Sequence, residues 1–561
     1  MAGVKPELLA PCGSPEAVRA AVRAGADAVY MGGEQFNARM GAKNFSAEAL
    51  RDAVDYCHGA GVKVYITLNT QVYDRRMREA LGFAARAYEA GADALIITDL
   101  GLIGLIREHI PDLPLHASTQ LMGNNAAAAR FLAGLGIERM VCARELCGGD
   151  IAALCAESPI EIEAFVHGAL CASQSGGCLF SSMIGGRSGN RGECAQPCRL
   201  PYNGGYPLSL KDNCLARHIP ALTDTGVACL KIEGRMKSPE YVQGVTAVYR
   251  TLLDEGRAVR GDEMAYLAAL FSRSGFTDGY FTGRIDKNMV GIRTESDKAA
   301  RVPRVTFPTP AHKSPIKHHR GNVTLPEGLP KPKGQVPPPV SYSARFYNKE
   351  AVCGEDFFDI IYLPLYDYSP VANGVLLPPV IPPSEYEKAR EALRRAVQSG
   401  AEHVMVPNIG GLELARECGA RIHLDYRFNV YNSHSALFLS RYGEVMLSPE
   451  LTVPQMRDIP AYAGVVYGRL PLMTLERPTG MKRLTDRRGV TFPVITEAGR
   501  ELVVNSVPVY MADKEADLRS AGLCHRHFIF TTEDKAAVKR VIDDYKKKAP
   551  ARGAFTRIKV K

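Results

Sequence analysis

Apolar and polar positions over residues 1–235 repeat a short cycle. An apolar run of strand length is followed by an Ala-rich stretch with one apolar stripe, then by a glycine before the next run. The strands predicted in this way are 8–10, 28–31, 63–68, 94–98, 115–118, 139–142, 162–166 and 228–232. Amphipathic helices lie between them, for example over 15–24 and 47–59, and end at glycines suited to the left-handed residue that stops a helix. Ala24-Gly25-Ala26-Asp27-Ala28 and Ala90-Gly91-Ala92-Asp93-Ala94 are near-copies. Eight strands alternating with helices predict an α/β protein built on a closed TIM-like (β/α)8 barrel over residues 1–262. An open doubly wound sheet offers no place for eight similar units.

The cycle is interrupted once, by an insertion at 168–227 between the seventh and eighth strands. Topology puts it on the C-terminal rim, where barrel enzymes keep their chemistry. After the barrel, helices are expected at 239–255 and 263–271, then a small strand-rich module within 263–306. Residues 307–339 are rich in Pro, Lys and His without periodicity and read as a basic linker. Over 340–535 the first pattern returns as a second, degenerate barrel-like half. Ala401-Glu402-His403-Val404-Met405-Val406 mirrors Ala92-Asp93-Ala94-Leu95-Ile96-Ile97, Asn432 falls opposite Asn125, and Val465-Val466-Tyr467-Gly468 mirrors Phe165-Val166-His167-Gly168. Pro471 stands where Cys171 stands in the first copy, and no cysteine group follows it. Residues 536–561 read as a basic tail.

Composition is that of a globular protein, with 46% hydrophobic and 23% charged residues, which excludes wholesale disorder. No run is long and apolar enough for a membrane span, and the N-terminus lacks an apolar signal core, so a cytoplasmic protein is expected. The net charge of +9 is unevenly placed. Residues 535–561 hold ten Lys/Arg against two Asp, and 312–333 hold five Lys/Arg against one Glu, leaving the folded bulk near neutral. Such arms suit the phosphates of a structured RNA, or are simply solvated.

Fourteen cysteines in a chain without an export signal argue against a disulfide framework. Four of them, Cys171, Cys178, Cys194 and Cys198, fall in the insertion with spacing C-x6-C, fifteen residues, C-x3-C, among six glycines between Gly176 and Gly192. Glycines let a backbone wrap closely round an inorganic centre. Zinc more often uses paired C-x2-C knuckles, whereas an iron–sulfur cluster tolerates irregular spacing. By spacing alone, iron–sulfur, zinc and metal-free thiols all stay open.

Glu163-Ala164-Phe165-Val166-His167-Gly168-Ala169-Leu170-Cys171, with Gly176-Gly177-Cys178 and Ser181, resembles the signature of peptidase family U-32, the collagenase-like peptidases. Phe180 departs from it, standing where the signature prefers an aliphatic residue. Cys194-Ala195-Gln196-Pro197-Cys198-Arg199, Ser209-Leu210-Lys211-Asp212 and Lys231-Ile232-Glu233-Gly234-Arg235 are similar to further family motifs. The resemblance covers residues 7–290 strongly. The 271–281 segment and the C-terminal extension resemble the branch that hydroxylates cytidine in ribosomal RNA rather than the shorter tRNA branch. The resemblance implies an iron–sulfur RNA-modifying oxidoreductase with a 4Fe–4S cluster on Cys171, Cys178, Cys194 and Cys198, and prephenate as co-substrate. Two other readings stand beside it: a U-32 peptidase, and an Fe–S assembly factor in a hydroxylase complex. The chain has no H-E-x-x-H and no G-x-S-x-G, so it offers neither a zincin nor a nucleophile elbow.

Residues at the ends of barrel strands point toward such a site; among them are Asn69, Asp99, Ser118, Gln120, Arg144, Glu145, His167, Glu233 and Arg235. His167, Glu233 and Arg235 are the candidate catalytic residues, as proton donor, carboxylate base and anion clamp. Arg39, Asn44, Asn69, Asp99, Gln120 and Lys211 are the candidate substrate-binding residues, with Phe36 and Phe45 as stacking surfaces for a nucleobase. The alternatives are a satisfied rim histidine, a Glu–Arg pair closing the mouth, and core packing of the two Phe.

Overall fold

The computed structural model describes residues 5–317, 321–329, 338–461 and 463–556. Strands β1 (Glu7–Pro11), β2 (Ala28–Gly32), β3 (Lys63–Leu68), β4 (Ala94–Ile97), β5 (Leu115–Ala117), β6 (Arg139–Val141) and β7 (Glu161–Gly168) pair in sequence order, all parallel. A short β8 (Asp212–Cys214) runs antiparallel to β7, and β9 (Cys229–Ile232) pairs with both β7 and β1, closing an eight-stranded barrel. The near-copied turns have a structural cause. Gly25 and Gly91 take positive φ after their helices, and Asp27 and Asp93 then accept the amides of Leu8 and Val64 in the preceding strands, at 2.8 and 2.6 Å.

The strands expected within 263–306 reduce to β10 (Phe276–Thr277), with short helical turns around it. Gly275, Asp278, Gly279 and Gly283 break any longer strand. The described part of the 307–339 linker is extended against the N-terminal side of the first barrel. Lys313 there bonds the Ala26 carbonyl and pairs with Asp27.

The second half repeats the plan. Strands β11 (Ser341–Phe346), β12 (Ile360–Pro364), β13 (Gly374–Leu376), β14 (His403–Val406), β15 (Arg421–Leu424) and β16 (Glu444–Val445) are followed by β17 (Ala463–Gly468). The chain then makes a separate antiparallel sheet from β18 (Pro471–Leu475), β19 (Arg483–Thr485), β20 (Thr491–Glu497) and β21 (Arg500–Val504). It returns through β22 (Val509–Tyr510) to β23 (His525–Phe530), which lies between β17 and β11. The parallel bridge Met446–Ala463 links the β16 end of this curled sheet to β17. In both halves the last-but-one strand ends on a glycine of positive φ, Gly168 or Gly468, whose missing side chain lets the backbone pass against the carbonyl of Glu233 or Ile529.

The correspondence extends past residue 535. Tyr249 of helix Pro239–Glu255 donates to the Val166 carbonyl, and Tyr545 of helix Lys535–Lys546 donates to that of Val466. The first part of the expected tail is thus the closing helix of the second half, with Val538, Val541 and Ile542 buried and its lysines exposed.

The halves dock with approximate two-fold symmetry through equivalent helix caps. Asn125 donates to the Ile381 and Gly410 carbonyls, while Asn432 donates to the Val72 carbonyl and Asp99. Among the described residues no helix is long and apolar enough to cross a membrane. Because Asn432 also caps its own helix and supplies a donor to the buried Asp99 carboxylate, Asn432→Ala is expected to cost about 1–3 kcal/mol. Urea unfolding of the two proteins checks this; an unchanged midpoint would remove the caps from the docking energetics.

Candidate active site at the mouth of the first barrel

At the C-terminal end of β9 the chain turns through Glu233 and Arg235 into the barrel mouth. The Glu233 carboxylate accepts from Arg39 Nη2 at 3.2 Å and from Arg144 Nη2 at 3.4 Å. Its burial is outweighed by Arg39, Arg144 and Arg235, which hold its carboxyl below the usual range. Arg144 lies over the Phe165 ring, donates to Ser175 Oγ at 2.7 Å and reaches Cys171 Sγ at 3.8 Å, tying the acid to the cysteine loop.

Arg235 is buried and pairs with neutral partners, Thr67 Oγ1 at 3.0 Å and Asn37 Oδ1 at 3.1 Å. Burial lowers its pKa to about 10. Its guanidinium occupies the space a side chain at position 32 would need, so β2 must end on Gly32. The loop carrying Arg39 is built by amides. Asn69 accepts the Ala38 N–H at 2.9 Å, and Asn44, in the left-handed region, donates to the carbonyls of Arg39, Met40 and Ala42.

Cys171 and Cys194 are exposed, Cys178 and Cys198 half-buried. Burial pushes the thiols of Cys178, Cys194 and Cys198 up, Cys198 to about 11, and the neighbouring sulfurs of the group add to it. The four sulfurs therefore lie in one neighbourhood. Among the described residues no three His, Cys, Asp or Glu side chains stand arranged as ligands of one ion. The donor set nonetheless has the chemistry of a thiolate site. The N–H groups of Gln196, Phe180 and Ala172 are directed at Cys194, Cys178 and Cys198, and Arg39 and Arg187 face Cys194.

The loop is held from outside. Leu179 N–H donates to the Leu472 carbonyl at 2.8 Å, Gln174 N–H to that of Thr474 at 3.0 Å, and Thr474 N–H to Ser173 Oγ at 3.1 Å, all along β18. Phe180, the departure from the family signature, packs edge-on against Phe492 of β20.

The structure thus gathers Arg39, Glu233 and Arg235, with Asn44 and Asn69 behind them. It places the other candidates elsewhere. Asp99 is wholly buried between the barrels, accepting from Val72, Leu102, Asn432 and Ser435. Gln120 lines a void of about 10 Å³ in the same interface. Lys211 lays its stem against Gly291. Phe36 and Phe45 are core. Asn37, Thr67 and Ser175 were not singled out from the sequence, because nothing in their local pattern marks a residue that braces an arginine from another strand.

His167 is buried among Tyr249, Tyr241 and Phe276, bonded to Tyr249 Oη at 3.3 Å, outside the Glu233 group. Burial lowers its pKa to about 3, so the folded protein holds it neutral while the unfolded chain protonates near 6.5. Its contribution is present in full above that pH and is lost as pH falls from about 6.5 toward 3. The expected result is that His167→Phe loses less stability than the parent between about pH 7.5 and pH 5 in urea unfolding, and that the parent ring shows no NMR titration near 6.5. A ring titrating there would place His167 in water.

The model of the peptidase family U32 matches residues 13–291 and 375–470. The "23S rRNA 5-hydroxycytidine C2501 synthase" of Escherichia coli is 40% identical over 292 residues, 50% of this chain and 43% of that protein. The "tRNA hydroxylation protein P1" of Bacillus subtilis is 36% identical over 267 residues, 45% of this chain and 63% of that protein. A "Collagenase" of Porphyromonas gingivalis is 36% identical over 311 residues, 50% of this chain and 74% of that protein. The chain spans less than two thirds of the length of the first two. With the family model covering both halves, including the cysteine loop and the mouth, the chain belongs to peptidase family U32.

Proposed function

We propose that this protein is an RNA-modifying enzyme that hydroxylates a pyrimidine of ribosomal RNA, working at the mouth of the first barrel in the cytoplasm. The observation that carries the reading is the grouping of Arg39, Arg144 and Arg235 about the single carboxylate of Glu233, beside the four neighbouring thiols of the cysteine loop. The names of the E. coli and B. subtilis relatives support an RNA substrate.

Cys171, Cys178, Cys194 and Cys198 would hold a 4Fe–4S cluster, which when bound would supply redox or Lewis-acid chemistry at the rim. Three guanidiniums outnumber the one carboxylate they share, leaving N–H donors suited to a nucleotide phosphate or to the carboxylates of a co-substrate such as prephenate. Glu233, kept ionised by its arginines, accepts hydrogen bonds and orients the guanidiniums. Arg235, fixed by Thr67 and Asn37, presents one direction to an incoming anion. A pyrimidine reaches this depth only when flipped out of its stack. The exposed lysines of helix Lys535–Lys546 give phosphate contacts outside the mouth.

A peptidase reading is favoured by the name of the P. gingivalis relative. Gelatin cleavage by the purified protein, absent under the hydroxylase reading, separates the two.

Mass spectrometry of ribosomal RNA tests the proposal. Deleting the gene should abolish a hydroxycytidine, and restoring Arg39→Ala or Arg144→Ala in place of the parent should lower its level about tenfold or more, the loss of one charge-assisted contact. A full complement of hydroxycytidine in the deletion strain overturns the substrate assignment. Anaerobically purified protein should carry iron and sulfide, and replacing any two of the four cysteines with serine should remove both. A colourless protein holding one zinc would refute the cluster.

A further inference from the structure

The second barrel-like half has a mouth of its own, lined by side chains that take no part in the RNA site. Arg345 is the last-but-one residue of β11 with Tyr347 just beyond the strand, Asp425-Tyr426-Arg427 follow β15, and Glu497 comes to them from the end of β20. Arg345 Nη1 and Arg427 Nη1 both bond Asp425 Oδ2, at 2.8 and 3.3 Å, and the two guanidiniums lie 5.3 and 5.5 Å from the Tyr426 ring centre. Tyr347, Tyr426 and Glu497 each sense both arginines, so the six residues converge.

Arg345, Asp425, Arg427 and Glu497 are at most 5% exposed. Yet Arg345 Nη2, Arg427 Nη2, Tyr347 Oη, Tyr426 Oη and both carboxylate oxygens of Glu497 are buried without a hydrogen-bond partner. Buried polar atoms are nearly always paired, and each one left bare costs about 1–3 kcal/mol. Six in one place exceed what a single water, with about three hydrogen bonds, can satisfy.

Charge narrows the occupant. Among the buried groups Asp425 neutralises one guanidinium and leaves one positive charge, Asp367 being exposed to solvent, while burial lifts Glu497 to about 7 and lets it stand protonated as a donor. A monoanion balances the pocket, whereas a phosphate dianion would bury an unpaired negative charge. Two guanidinium N–H groups and two phenols match a planar carboxylate.

We propose that the mouth of the second barrel is a second ligand site, which takes a small organic carboxylate on Arg345 and Arg427 and encloses it with Tyr347, Tyr426 and Glu497. The site is independent of the RNA reading. The corresponding strand of the first barrel places Glu233 where this one places Ile529, so the two mouths differ in chemistry as well as in access. The bound carboxylate, facing Glu497 together with Asp367, Asp425, Arg345 and Arg427, favours the protonated acid. Affinity should therefore fall as pH rises through about 7, by up to about tenfold per pH unit.

Two measurements on the full chain test this. Small molecules released by denaturing the purified protein are identified by mass spectrometry, and thermal melting is followed with pyruvate, benzoate and inorganic phosphate at about pH 6 and about pH 8.5. An organic acid should be released, or pyruvate or benzoate should raise the melting temperature more at the lower pH, with no rise from phosphate at about pH 8.5, where it is the dianion. Tyr347→Phe, which removes one hydroxyl and keeps the packing, should weaken the carboxylate about threefold to tenfold. Arg427→Met should abolish its binding, and Glu497→Gln should remove the pH dependence. The proposal is overturned if no organic acid is released and neither carboxylate stabilises the protein, the pocket then holding water alone. It is equally overturned if phosphate binds better, or if Tyr347→Phe and Arg427→Met both leave the carboxylate effect unchanged.

Discussion

The cysteine loop at the first mouth depends for its position on its strand-like pairing with β18. The cysteine-bearing segment 171–198 contributes little regular structure, a six-residue helix at Phe180–Gly185 and a few turns, and such a segment cannot fix four sulfurs by its own packing. Its peptide groups are paired instead with Leu472 and Thr474, and its one large aromatic, Phe180, is wedged against Phe492. Arg144 then transmits that position to Glu233 through Ser175 and Cys171. The second half is therefore part of the site without lending a ligand to it.

Duplication explains how such a brace arises. The cysteine insertion and the antiparallel sheet occupy the same topological slot, between the last two strands of their barrels, and the approximate two-fold axis brings the slots together. The same symmetry makes Asn125 and Asn432 exchange roles across the interface. One copy could lose its thiols, as Pro471 records, because the fold closes on Gly468 and on the Tyr545–Val466 bond, neither of which involves sulfur.

Much of this was legible in the sequence. The eight strands of the first barrel and the return of the pattern after residue 340 follow from strand-length apolar runs punctuated by glycine. The site was legible only in part. At a strand's C-terminal end an Asp or Asn that caps the next helix looks the same as one that binds substrate, and Asp99 proves to be a cap facing the partner barrel. His167 follows a register shift in β7 between Phe165 and His167, which strict alternation does not anticipate. Tyr467 follows the same shift in β17, so an aromatic ring packed on the closing helix is what this position holds in both copies. Arg39, Glu233 and Arg235 come from strands about two hundred residues apart, and only barrel closure reveals that they meet.

The two mouths finally differ in what size of molecule can reach them, and the cause is the placement of one hairpin. The turn joining β20 to β21 carries Glu497 over the second mouth, and Arg500 anchors it to Glu385 and Glu476. Among the described residues no equivalent hairpin leaves the first barrel, whose insertion is spent on the cysteine loop. Its rim thus stays open, with Cys171 and Cys194 exposed. A polymer such as RNA needs the open arrangement, since only one residue of it has to enter while its neighbours remain in solvent. Full desolvation of charged groups, by contrast, is tolerable only where their partners are all supplied inside, which restricts the closed mouth to something small. A single fold used twice has in this way separated access from enclosure.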